Sequence, residues 1–60
     1  MKTPKNFTTE AERLNKLAND IRTPIMDRVI SLCRLYHLYQ GDVHMQDDTV
    51  KRIEETIREL

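Results

Sequence analysis

The chain has 60 residues, with 10 Lys and Arg against 10 Asp and Glu, a single Cys, a single Gly and no Trp. A domain of this size buries about 60% of the surface that its unfolded chain exposes, so a lone monomer is expected to be only marginally stable. One Cys cannot form an internal disulfide, and no run of about 18 apolar residues is present to span a membrane. A large enzyme active site is not expected either, because so short a chain has little interior in which to desolvate one.

The charge is balanced over the whole chain but not along it. Residues 1–22 carry a net charge of +2 and residues 42–60 a net charge of −3. Opposite charges favour antiparallel packing, within one chain or between two copies, although salt screens this preference. The overall balance predicts no general attraction to nucleic acid or to a membrane surface. The single Cys, and the lack of an apolar run after the N-terminal Lys residues, predict a cytoplasmic location.

The first helical signal follows a polar N-terminal segment. We interpret residues 1–8 as a flexible tail and residues 9–60 as a single helical domain. Thr9 and Glu12 have the spacing of a capping box, in which each side chain binds a free amide at the helix start. Leu14, Leu17 and Ile21 then follow at helical spacing, so the first helix is predicted at about 9–22.

Pro24 interrupts this apolar stripe. Proline lacks an amide hydrogen and disfavours helical backbone at Thr23, the residue before it. Either one long helix is kinked at Pro24, or two helices meet there with Thr23 as the N-cap of the second. The stripe continues in phase from Ile21 to Ile25, which favours a kink or a very tight break.

The segment from 24 to 40 is apolar on more than one helical face, which is typical of a helix that is covered on several sides. Gly41 is predicted to end this helix in a left-handed conformation. A loop is predicted over 42–46, and Asp47 or Asp48 is expected to cap a last helix at 48–60. That helix carries a narrow apolar stripe typical of a bundle seam, formed by Val50, Ile53, Ile57 and Leu60.

Residues 18–25, which read Ala-Asn-Asp-Ile-Arg-Thr-Pro-Ile, resemble the phosphoacceptor box of sensor histidine kinases. That box lies on the first helix of a hairpin that dimerises into a four-helix bundle and is kinked at the proline. The resemblance implies a dimeric helical architecture. It does not imply kinase activity, because Asn19 occupies the position of the phosphorylated histidine.

The sequence therefore predicts an all-α protein of two or three helices, a helical hairpin with a kinked or broken first helix, that forms a dimeric helical bundle. The reason is the two-faced second segment, which has too few residues around it to cover its apolar side chains. The predicted partner and dimer interface comprises Met26, Val29, Ile30, Leu32, Leu35, Tyr36, Leu38, Tyr39, Ile53 and Ile57.

No catalytic set is evident, and neither a cofactor nor a metal is expected. Cys33 and His37 are four residues apart, but a structural zinc site needs about four ligands, and one Gly cannot build a phosphate-binding loop. We therefore predict a small regulatory protein that binds a larger protein as an inhibitor, antirepressor or adaptor. The alternative is a nucleic-acid-binding regulator whose contacts would be basic residues at the N-terminus, namely Lys2, Lys5, Arg13 and Lys16. A purely structural assembly role is a third possibility.

Overall fold

The computed structural model describes residues 5–60, and the side chains from residue 9 onward. It contains three α-helices in the order α1 (Lys5–Asn19), α2 (Ile25–Leu38) and α3 (Val43–Arg58), and no strand within the described residues. The prediction of an all-α fold is confirmed, in its three-helix form. Residues 1–4 of the predicted tail lie outside the described residues.

The first helix begins four residues earlier than predicted. Because α1 starts at Lys5, the backbone of residues 5–8 is helical and Thr9 lies inside the helix rather than at its N-cap. The predicted capping box of Thr9 and Glu12 is therefore wrong. In the sequence Lys5 follows Pro4, and proline is favourable at a helix start because the first amides of a helix have no partner within it.

The helix is interrupted by a turn between α1 and α2, and it is not a single kinked helix. The carboxylate of Asp20 accepts from the backbone amide of Arg22 at 2.9 Å, and the Asp20 carbonyl accepts from the amide of Thr23 at 3.0 Å. The hydrogen bonds from the backbone and then the side chain of Arg22 hold the pKa of Asp20 below its ordinary value. Pro24, and not Thr23, is the N-cap of α2. Of the two alternatives, the structure has the broken helix and not the kinked one, because this turn satisfies the amides of Arg22 and Thr23 outside a continuous helix.

The turn between α2 and α3 is shorter than predicted. Tyr39 is the C-cap of α2, and its amide donates to the Leu35 carbonyl at 2.9 Å. Asp42 is the N-cap of α3, where its side chain accepts from the amide of Met45 at 3.2 Å. The predicted loop over 42–46 and the predicted cap at Asp47 or Asp48 are both wrong. Gly41 does not have a positive φ, so its predicted left-handed conformation is wrong as well.

Helix α2 lies between the other two helices and contacts both, whereas α1 and α3 make no close backbone contact with each other in the described residues. The Cα positions extend over 41 × 21 × 12 Å, so the three helices form a flat layer. In the described residues the buried apolar core consists of Leu14, Leu32, Leu35 and Tyr39, against which Ala11, Ala18, Leu38 and Ile53 pack.

A polar bridge links α1 to α3 across this layer. The guanidinium of Arg52 donates to the side-chain oxygens of Asn15 at 2.9 Å and Asn19 at 2.8 Å. The Asn15 amide in turn donates to the Tyr39 hydroxyl at 3.3 Å. Between α2 and the end of α3, the Arg28 guanidinium lies 3.6 Å from the carboxylate of Glu59. These contacts orient α1 and α3 relative to each other without an apolar seam between them.

Three hydroxyl side chains are buried between the helices, and each has a partner. Ser31, Thr49 and Thr56 donate to the carbonyls four residues earlier, at 2.9, 2.7 and 2.7 Å. Such bonds satisfy a buried hydroxyl within its own helix, so no donor is left unpaired. None of the helices in the described part of the chain is long and apolar enough to cross a membrane.

Candidate protein-interaction surface

The predicted interface residues fall into two groups in the structure. Leu32, Leu35 and Tyr39 are buried within the single chain, and Leu38 and Ile53 pack against them. These five residues hold the three helices together. The prediction that Leu32, Leu35 and Tyr39 form an interface with another molecule needs correcting because they are buried, whereas Leu38 and Ile53 are only half-buried and stay predicted. Side chains that are already covered by their own chain cannot contact a partner unless the fold opens.

The remaining predicted residues are at the surface. Met26 is 59% exposed and Ile30 is 48% exposed, Tyr36 and Ile57 are also exposed, and Val29 is half-buried. Met26 and Ile30 recur at helical spacing with Cys33 and His37, which are exposed too. These four residues form one stripe along the side of α2 that is turned away from the core, here called the outer face of α2. The sequence-based expectation of an incompletely covered second helix therefore holds for this face.

One groove lies between the outer face of α2 and α3. It has a volume of about 260 Å³ and is lined by Cys33, Tyr36, His37, Val50 and Ile53. The rings of Tyr36 and His37 meet edge to face, with centroids 5.9 Å apart. This α2–α3 groove is mainly apolar and open to solvent.

Acidic side chains border the α2–α3 groove on the α3 side. Asp47 and Glu54 are three residues before and four residues after Val50, so all three share one face of α3. Both carboxylates are exposed. The groove thus combines an apolar floor with a negatively charged edge.

A second groove lies on the other side of α2, against α1. It has a volume of about 210 Å³, and its lining includes Leu17, Ile30, Asp27 and Arg34. The side chains of Asp27 and Arg34 have no ion-pair partner within the described part of the chain. This α1–α2 groove therefore contains apolar side chains flanked by one uncompensated charge of each sign.

Sequence reasoning missed Leu17 and Val50 as surface residues. Both belong to helical apolar stripes, a pattern that predicts positions facing the core or a bundle seam. Their partial exposure follows from the flat arrangement, in which α2 is the only helix that makes close backbone contact with α1 or with α3 in the described residues. A stripe pattern marks the apolar side of a helix but does not show how much of that side a neighbour covers.

Of the four basic residues predicted to contact nucleic acid, the structure describes the side chains of two. Lys2 lies outside the described residues, and Lys5 is the first residue of α1. Arg13 and Lys16 are exposed on α1, but the Arg13 guanidinium lies 2.8 Å from the Glu10 carboxylate, which offsets its charge. A role of these residues in nucleic-acid binding stays a prediction, and loss of a salt-sensitive mobility shift on their substitution would test it.

Cys33 and His37 both line the α2–α3 groove, and Cys33 is a free, exposed thiol. Within the described residues, no group of three or more His, Cys, Asp or Glu side chains is placed to hold a metal ion. Comparison of the chain with protein-family models, with curated proteins and with solved structures found no match.

Proposed function

We propose that this chain is a small, non-catalytic regulatory protein that acts by binding another protein, and that it also associates with itself. The observation that carries the proposal is the outer face of α2, where apolar side chains are exposed between two grooves. Contiguous exposed apolar surface on a small protein is typical of a site where another protein binds. The single exposed thiol is compatible with action in the reducing cytoplasm.

The α2–α3 groove is the proposed site for the partner protein. An apolar groove between two helices suits an amphipathic helix that inserts apolar side chains from one of its faces. Because Asp47 and Glu54 border this groove, basic residues beside the apolar stripe of the partner helix would be favoured. The proposed partner is thus a protein that presents a basic amphipathic helix.

A groove variant with a matched control tests this proposal. Val50→Glu places a carboxylate inside the groove, whereas Lys51→Glu places the same side chain at the next, exposed position outside the groove lining. The experiment would select proteins that bind the native chain and the Lys51→Glu chain but not the Val50→Glu chain. Each selected protein would be purified, and its affinity for all three chains would be measured by titration. We expect at least a tenfold weaker affinity for Val50→Glu alone, because a charge would be buried without a partner.

Two results would contradict the proposal. In the first, only further copies of this chain are captured, which would favour a purely structural role. In the second, a purified partner binds the Val50→Glu and Lys51→Glu chains equally well, which would place its site elsewhere on the surface. Circular dichroism of both variants would show that the helices are retained.

A further inference from the structure

We infer that the α1–α2 groove is the self-association site, in which α2 packs antiparallel to α2 of a second copy around a twofold axis beside Ile30. The inference deepens the self-association included in the proposed function and rests on it. It assigns the two sides of α2 to different occupants, a second copy at the α1–α2 groove and the foreign partner at the α2–α3 groove.

The apolar part of this site is centred on Ile30. Ile30 is about half exposed and lines the groove beside Leu17, which is also exposed. In a twofold arrangement the same patch is used by both copies, so a residue beside the axis contacts its own equivalent. Ile30 would then cover Ile30 of the second copy, and Leu17 would extend the contact along the groove.

The charges in the groove fix the orientation. Asp27 and Arg34 line the same groove and are seven residues apart on α2, with Ile30 and Ser31 midway between them. At 1.5 Å per residue, these two side chains are separated by about 10.5 Å along the helix, and they form no ion pair with each other. An antiparallel twofold axis at the midpoint places each Asp27 opposite Arg34 of the second copy.

The alternative parallel arrangement lacks this match. A twofold axis parallel to α2 and beside the same groove would again place the groove of one copy against the groove of the other. Each Asp27 would then lie beside Asp27 of the second copy and each Arg34 beside Arg34, so like charges would face each other. Only the antiparallel arrangement pairs both uncompensated charges of the groove, and it does so twice in each dimer.

Complementary charge variants, measured by sedimentation of the full chain over a range of concentrations, test the inference. Asp27→Arg makes both charges that α2 contributes to the groove positive, and Arg34→Asp makes both of them negative. We expect each variant alone to dimerise about tenfold more weakly than the native chain, because two attractive pairs become repulsive. An equimolar mixture of the two variants should regain near-native affinity as a heterodimer, and so should the double variant Asp27→Arg/Arg34→Asp.

Asp48→Arg is the matched control, because it makes the same substitution on the exposed surface of α3, outside the groove lining. It should leave dimerisation unchanged. A native chain that stays monomeric would remove self-association altogether, while leaving the Val50→Glu test of partner binding intact. A native dimer whose two single variants do not recover on mixing would overturn the antiparallel pairing alone.

Discussion

Gly41 occupies the turn between α2 and α3 without using the conformational freedom that glycine has. Its φ is not positive, and a Cβ atom added there would meet no atom within 4 Å. The turn is closed instead by the amide of Asp42, which donates to the Tyr39 carbonyl at 2.8 Å. Nothing in the folded structure therefore requires glycine at this position.

We expect Gly41→Ala to stabilise the chain by about 0.4–1 kcal/mol, because alanine restricts the unfolded chain while fitting the native backbone. Urea unfolding followed by circular dichroism would measure the change. Gln40→Ala, at the preceding exposed turn position, is the control and should have a smaller effect. A loss of about 1 kcal/mol for Gly41→Ala would instead indicate that the residue adopts a left-handed conformation.

At the scale of helices, the start of α3 shows how an N-cap can be assigned to the wrong residue. Asp42, Asp47 and Asp48 are all suitable N-cap residues. Only Asp42 accepts from an amide at the helix start, and its carbonyl accepts from the Gln46 amide at 3.0 Å as the first helical bond. The first turn is also held by a contact with α2, since the Gln46 side chain donates to the Tyr36 carbonyl at 3.1 Å.

Asp42→Ala is expected to destabilise the chain by about 1 kcal/mol, the typical contribution of an N-cap side chain. Asp48→Ala should change stability by less than about 0.5 kcal/mol, because Asp48 is an exposed residue within α3 and alanine is a good helix former. Chemical denaturation of the two variants under identical conditions would check the order. The reverse order would mean that the helix begins near 48, as the sequence pattern suggested.

The three helices could be predicted from the sequence because each carries apolar residues at spacings of three and four. Their ends could not, because they depend on interactions that the pattern does not contain. The break at Asp20 uses a carboxylate that accepts from the Arg22 amide. The first turn of α3 makes a contact with another helix through the Gln46 side chain. Where a helix end is fixed by tertiary contacts, local propensity locates it only to within a few residues.

At the scale of the whole molecule, the sequence predicts that α2 carries the candidate site. It does not predict which face of α2 is exposed. The apolar residues of α2 cover more than one side, and the sequence does not show which side α1 and α3 will cover. The structure assigns Leu32 and Leu35 to the core and leaves Met26 and Ile30 exposed. This division follows from the flat layer, because two neighbours beside α2 leave its outer face open.

The small size of the core makes the whole fold depend on few side chains. Only four apolar residues are buried in the described part of the chain, and Leu35 is 0% exposed. Natural domains have stabilities of about 0.05–0.15 kcal/mol per residue, which for 60 residues gives about 3–9 kcal/mol. Truncation of a fully buried leucine to alanine removes about 2–5 kcal/mol.

Leu35→Ala is therefore expected to leave a large fraction of the chain unfolded at 37 °C, whereas Ile21→Ala should be nearly neutral. Ile21 is an equally large apolar residue but is 86% exposed in the turn after α1. Thermal unfolding of both variants at several protein concentrations would check this, since self-association raises the stability of the native state as concentration increases. Equal losses for Ile21→Ala and Leu35→Ala would show that Ile21 is covered in solution, and that the single chain does not account for all of the buried apolar surface.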